Sequence, residues 1–263
     1  MDNLHRDLAP ISDEAWTEIE AEVRRTFQAH LAGRRVVDTE VHDGTLAAMG
    51  TGHLAPIDGP AAGVEAKVHR VRPVATLRIP FTLSREAIDD VALGSPDSDW
   101  QPAKDAARAM ALAEDKVVFA GWEEVGIGGL QTGAETKLAL PDAVTDYPDA
   151  VSHAVSTLRL AGVDGPFSLL LGAKAYTAVS ETSDHGYPIA EHISRLLSGS
   201  VVWAPAIEGG VLLSTRGGDF ALDLGQDLSI GYLDHDAATV TLFLQESLTF
   251  HLHSPEAAVA LTC

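Results

Sequence analysis

Between Val240 and Leu252 apolar side chains fall on every second position: Val240, Leu242, Leu244, then Leu248, Phe250 and Leu252. That period belongs to a β-strand with one buried face. The run spans about 45 Å at roughly 3.3 Å per residue, well beyond the five or six residues of an average strand. A strand of this length suits an extended, load-sharing architecture. The alternate row, Thr241, Phe243, Gln245, Ser247, Thr249, His251 and His253, is mostly polar and is expected to be solvated or to lie against another subunit. Glu246 interrupts the apolar row. A buried carboxylate is costly unless paired, so it is expected to meet an arginine, accept backbone hydrogen bonds or sit at a subunit boundary.

Upstream, Ser12 reads as an N-cap with Asp13 and Glu14 in the first turn, and Trp16, Ile19, Val23, Phe27 and Leu31 recur at helical spacing until Gly33. Arg34 to Asp38 reads as a short extended segment. Residues 44–80 are rich in Gly and Pro, and Val64, Ala66 and Val68, then Ala75, Leu77 and Ile79, alternate with polar residues. The spacing predicts a two-stranded arm, and an isolated hairpin is marginal in water, so its partner is expected on another subunit. Ser84 opens a short helix, and Pro102 stands near the start of a long one carrying Ala106, Met110, Ala113 and Val117 toward the core. After the Gly126-Ile127-Gly128-Gly129 stretch come helix 149–161, strand 168–171, helices 173–180 and 188–198, and strands 200–204 and 211–215. This is the pattern of a compact α/β block.

A chain of 263 residues buries enough surface to fold as one large domain or two interleaved ones, without metals or disulfides. Its single cysteine is Cys263, so no intrachain disulfide forms and a reducing, cytoplasmic setting is expected. No stretch is long and apolar enough to predict a membrane span, nor does the N-terminal stretch read as a signal peptide. With 38 acidic against 18 basic residues the formal charge is −20, which repels phosphate backbones and argues against nucleic acid as a partner.

Familiar catalytic motifs are absent. The Gly126-x-Gly128-Gly129 stretch fails the dinucleotide fingerprint, and there is no Walker loop, G-x-S-x-G elbow, H-E-x-x-H or cysteine cluster. His251 and His253 lie two apart on one strand face, but without a nearby carboxylate or thiol they read as polar surface, and no metal site is expected. Ser180, Asp184 and His185 stand close in sequence, yet a triad needs convergence in space. The segment Ser180–Pro188 reads as a polar loop, and no catalytic residue is assigned.

Seven groups of segments, in order from about Leu4 to Leu261, are LAPISDEAWTEIEAEVRRTFQAHLAGRRVVD, FTLSREAIDDVALGSPDSDW, LAGVDGP, ETSDHGYP, WAPAIEGG, STRGGDF and GQDLSIGY…LFLQESLTF…PEA. Together they resemble the encapsulin shell proteins, once called linocins. The resemblance implies an α+β fold of the HK97 phage-capsid type. It further implies a peripheral domain (1–43, 81–133 and 217–263), an extended loop (44–80) and an axial domain (134–216). Copies of such a chain assemble into an icosahedral shell, on the order of 60 in the smallest. The shell encloses a cargo enzyme, a dye-decolourising peroxidase or ferritin-like protein, held by a short C-terminal targeting peptide. Positions matching the family's cargo groove are Phe27, Leu31, Arg34, Val37, Asp38, Leu228, Ile230 and Tyr232. The ETSDHGYP segment resembles the five-fold pore loop, placing Asp184, His185, Gly186 and Tyr187 at the channel, where a ring of imidazoles changes charge across mildly acidic pH. Some relatives carry an aromatic residue just after the FTL motif; here Ser84-Arg85-Glu86 follows, so no flavin or other cofactor is expected. Two other readings stand beside the compartment: a bacteriocin or hydrolase using the 180–187 loop, and the capsid protein of a virus-like element.

Overall fold

The computed structural model describes residues 3–262; Cys263 lies outside the described residues. The first helix, Asp13–His30, starts where expected, with Ser12 Oγ accepting from the Ala15 N–H at 3.2 Å. It buries the stripe Ala15, Trp16, Ile19, Val23 and Phe27. The short helix Arg85–Ala92 repeats the device, Ser84 Oγ accepting from the Ala87 N–H. The spine helix, Gln101–Ala120, ends at Gly121 (φ 83°), where a Cβ would stand 2.6 Å from the Ile127 carbonyl oxygen. No helix among the described residues is long and apolar enough to cross a membrane.

Two sheets organise the chain. The four-stranded sheet runs in the order Asp38–Val41, Phe220–His235, Thr239–Leu252, Ala75–Ser84, the two long strands forming an antiparallel pair. The five-stranded sheet runs Val201–Trp203, Phe167–Leu171, Gly210–Ser214, Ala258–Thr262, Thr136–Ala139. Helices Tyr147–Leu160, Ala173–Glu181 and Ile189–Leu196 belong to the same block. The last strand, 258–262, thus crosses into the middle block instead of returning to the long strands, because Val259 and Leu261 find there a fully buried position between two neighbours.

Two apolar cores result. One joins the first helix, the N-terminal half of the spine helix, Phe81, Leu83, Ile230, Val240, Leu242 and Leu244. The other joins the five-stranded block to Val117, Val118 and Phe119 of the spine helix and to Leu222, Leu224, Leu248 and Phe250. The spine helix and both long strands run through the two cores. Their junction falls at Glu114, Asp115, Glu246 and the residues around Gly225.

The structure corrects three local expectations. Arg34 and Arg35 are wound into a 3-10 turn, Gly33–Arg35, because Asp115 accepts the backbone N–H groups of Ala32 and Gly33 at 2.8 Å each; extension begins only at Asp38. The arm is built from Ala48–Ile57 and Ala66–Pro73, whereas Ala75, Leu77 and Ile79 belong to a sheet strand paired with Thr239–Leu248. The bond from Val74 N–H to the Ala47 carbonyl closes the arm at its root and frees the next residue to join the sheet. The polar row of the long strand is not solvated in its middle: Phe243, Gln245, Ser247 and Thr249 are buried. Within the same chain, Arg78 covers Phe243 with its guanidinium 4.1 Å from the ring centroid and donates to Gln245.

Gly231 lies opposite Phe243, and a Cβ there would sit 2.1 Å from the ring's Cζ. The ring is buried and held by Arg78, so it has little room to yield. Gly231→Ala is therefore expected to destabilise the chain by about 1–3 kcal/mol, read as a lower guanidinium unfolding midpoint followed by tryptophan fluorescence.

Candidate functional site

A groove of about 800 Å³ runs between the first helix and the long strand Phe220–His235. The helix supplies Glu20, Val23, Arg24, Phe27 and Gln28, and its C-cap Leu31 continues the stripe at i, i+3, i+4 spacing. Opposite stand Asp227, Leu228, Ser229 and Ile230. A strand interior would ordinarily direct alternate residues away from such a groove. Here the register of the long pair shifts between Leu224 and Gln226 and again between Gln226 and Ser229, so that Leu224 faces Leu248 while Ile230 faces Leu244. Asp227 and Leu228 have no register partner on the neighbouring strand. A bulge re-aims side chains, and this one turns Leu228 and Asp227 toward the groove.

The floor is electrostatic as well as apolar. Arg34 donates through Nε to Glu114 Oε1 at 2.8 Å, through Nη1 to Asp227 Oδ1 at 2.8 Å, and reaches Glu246 Oε2 at 3.5 Å. Its guanidinium stands 5.2 Å from the Phe27 ring centroid. Glu114 and Glu246 are both wholly buried. Burial opposes the charge on Arg34, but the bonds to Glu114 and Asp227 outweigh it and hold the guanidinium protonated more firmly than usual. Burial, with Glu114 close by, pushes Glu246 well above the ordinary carboxylate range. Glu114 takes the Nε and Nη2 donors along one edge of the guanidinium, whereas Glu246 reaches it only at 3.5 Å. Beside them burial lifts Asp115 to about 7 despite its two backbone donors.

The structure brings Phe27, Leu31, Arg34, Leu228 and Ile230 together in this groove. Val37 and Asp38 lie in a smaller adjoining cleft of about 170 Å³ lined also by Gly217 and Phe220, where Asp38 Oδ2 accepts the Gly218 N–H. Arg35 borders both. Tyr232 sits further along the strand, its N–H donating to the Leu4 carbonyl at 2.8 Å and its hydroxyl meeting His235 Nδ1. The sequence reading missed the wall formed by Leu4 and Arg6. Arg6 pairs with Glu20 and lies 4.2 Å from the Trp16 ring centroid, but an irregular segment carries no periodicity to reveal such a wall. Val23, Arg24 and Gln28 were within reach, since they extend the stripe of Phe27 and Leu31.

The segment predicted to be a polar loop contains a small hairpin pairing Ser183–Asp184 with Tyr187–Pro188. His185 (φ 47°) and Gly186 (φ 84°) form its two-residue turn, the geometry that suits a tight hairpin. The His185 side chain is 96% exposed, with Nε2 3.7 Å from Asp184 Oδ1, while the Ser180 hydroxyl donates to the Tyr176 carbonyl of its own helix. Ser, Asp and His do not converge. The His251 and His253 rings stack at 3.9 Å.

Among solved structures, a virus-like particle from Pyrococcus furiosus superposes with a TM-score of 0.70 over 94% of this chain and 99% of its own, at 14% identity. The capsid of Myoviridae phage XM1 gives 0.57 over 87% and 90%, at 10% identity. The fold is therefore that of the HK97-type capsid proteins. A family model described as "Encapsulating protein for peroxidase" matches residues 1–249. The type 1 encapsulin shell protein of Rhodococcus erythropolis is 58% identical over 263 residues, covering 99% of this chain and all of that one, and that of Mycobacterium tuberculosis is 53% identical over the full length of both. The chain belongs to the encapsulin shell protein family, and it is a structural shell subunit, not an enzyme.

Removing Arg34 leaves buried Glu114 without its closest cationic partner, whereas Glu246 stands 3.5 Å from Arg34 and is raised well above the ordinary carboxylate range by burial, so it has less to lose on becoming an amide. Arg34→Met is expected to cost about 3–5 kcal/mol, and Glu246→Gln much less, both measured by chemical unfolding near neutral pH.

Proposed function

We propose that on the order of 60 copies of this chain close into an icosahedral compartment in the cytoplasm. The groove on each subunit holds the C-terminal targeting peptide of an enclosed enzyme, either a dye-decolourising peroxidase or a ferritin-like protein. The observation that carries this reading is the groove, where an apolar helix stripe faces a bulged strand across a volume sized for several side chains. An extended peptide would bury aliphatic side chains against Phe27, Leu31, Leu228 and Ile230, affinity resting on a few such anchors. Arg34 is already engaged by three carboxylates, so its part is to shape the floor. Past Arg35 the peptide track would continue to Val37 and Asp38, and at the other end it would approach Tyr232. The family model's description favours a peroxidase as cargo.

In such a shell the four-stranded sheet with the first and spine helices serves as the peripheral domain, the hairpin from Ala48 to Pro73 as the extended loop, and the five-stranded block as the axial domain. The exposed turn Asp184-His185-Gly186-Tyr187 lines the five-fold pore, where five copies concentrate whatever charge it carries. Nucleic acid is not packaged; the formal charge of −20 supports that view.

Electron microscopy of the purified chain should reveal uniform closed spheres whose ultraviolet absorbance is that of protein alone; a small monodisperse species would sink the proposal. With cargo-free shells, a labelled peroxidase tail peptide should bind, and Leu228→Asp should weaken it by about 2 kcal/mol or more, roughly thirtyfold. For the pore, His185→Ala is expected to abolish any difference in small-solute entry between mildly acidic and neutral pH. Identical entry profiles for the variant and the parent would remove the gating role.

A further inference from the structure

A few residues along the chain from Arg34 and Asp227 of the groove floor, the edge of the four-stranded sheet gathers three side chains of metal-ligating type. Glu40 and His42 stand two residues apart at the end of the edge strand and so share a face. Asp223, on the neighbouring long strand, is the register partner of Glu40. One ligand atom from each lies within 4.8 Å of the others, with His42 Nε2 at 2.8 Å from Asp223 Oδ1. Donors around one ion at about 2.0–2.2 Å stand roughly 3–4 Å apart, a spacing that a small rotation of exposed Glu40 provides.

Two independent features point to a cation there. Asp223 is only 8% exposed, yet its one ion-pair partner among the described residues is an imidazole, whereas buried Glu114 and Asp219 each have an arginine. Glu40 and Asp43 add negative charge around His42. The second feature is Thr249, the register partner of Asp223 on its other side and therefore on the same face. It is 1% exposed and its hydroxyl has no hydrogen-bond partner. Carboxylates that ligate metals are themselves oriented by hydrogen bonds, and Thr249 leaves an unpartnered buried hydroxyl on the same sheet face as Asp223.

We propose that Glu40, His42 and Asp223 bind one divalent first-row transition ion. One imidazole nitrogen with carboxylate oxygens suits Mn²⁺, Fe²⁺, Co²⁺ or Zn²⁺ in preference to Mg²⁺ or Ca²⁺, which take all-oxygen sets. The ion ties the short edge strand to the long strand at the point where the chain departs for the arm. The His42 N–H already donates to the Leu224 carbonyl there, and the arm's first strand begins at Ala48. A bound ion would therefore fix the direction in which the arm leaves the sheet.

The test is cobalt uptake by the full-length protein, stripped with chelator and dialysed against Co²⁺ in a large excess of Mg²⁺ to occupy the generic acidic surface. One Co²⁺ per chain with a visible ligand-field band is expected. Glu40→Gln and His42→Gln should each weaken binding at least about tenfold while the particles keep their size. Glu40 is exposed, so its conservative variant reads the site without disturbing the fold. Equal uptake by the parent and both variants, or none by the parent beyond the Mg²⁺-competed background, would overturn the site and leave an adventitious ion only.

Discussion

Where the two apolar cores meet, the guanidinium of Arg34 draws in carboxylates from three separate elements: Glu114 of the spine helix, Asp227 of the bulge and Glu246 of the last long strand. Apolar packing is non-directional, and two cores strung along one helix and one strand pair would tolerate sliding. A buried guanidinium does not, because each lost bond leaves a desolvated charge behind. Asp115, the next residue on the spine helix, accepts the N–H groups of Ala32 and Gly33 and so shapes the turn after the first helix. Two neighbouring acids thus fix the helix against the sheet on one side and against the first helix on the other. Burial and the nearby Glu114 raise Glu246 well above the ordinary carboxylate range, which eases the crowding of three carboxylates around one cation.

The groove follows from the same junction. The bulge that supplies Asp227 to Arg34 also turns Leu228 outward, and Gln226 is held by its N–H to Ser247 Oγ and by the Gln245 side chain. Gln245 in turn accepts from Arg78, whose guanidinium covers Phe243. A chain of polar contacts therefore runs from Gln226 beside the bulge across the neighbouring strands to Arg78. A structural defect in the ladder, two extra residues in one strand, becomes the feature that presents side chains to a partner.

Legibility in the sequence divides along physical lines. Periodic, locally capped elements were readable: the first helix from Ser12, the short helix from Ser84, and the long strand from its alternation. The family was readable too, because its motifs recur in order along nearly the whole chain. What depends on a distant partner was not. The row from Phe243 to Thr249 looks polar, yet neighbouring strands and the arm root bury it. Glu246 announced that it needed an arginine but not which one. Asp227 and Leu228 look like ordinary strand positions until the register shows that they are the unpartnered ones. The metal-ligating trio was invisible for a related reason, since Glu40 and His42 lie some 180 residues from Asp223 and only the parallel pairing of the edge strand joins them.

The forces that bring copies together act against the charge each carries. A formal −20 per subunit repels its neighbours at low ionic strength. The arm, by contrast, leaves Leu54, Ile57, Val64, Val68 and Val71 about half exposed on a hairpin with no third strand. Such a hairpin is marginal by itself and is stabilised when its apolar side chains and free edges are covered. In a shell-forming family, covering them with another copy is the arrangement that removes both liabilities at once. The drive to assemble then lies in the arm and the resistance in the acidic surface, so salt, which screens repulsion without weakening apolar burial, favours closure.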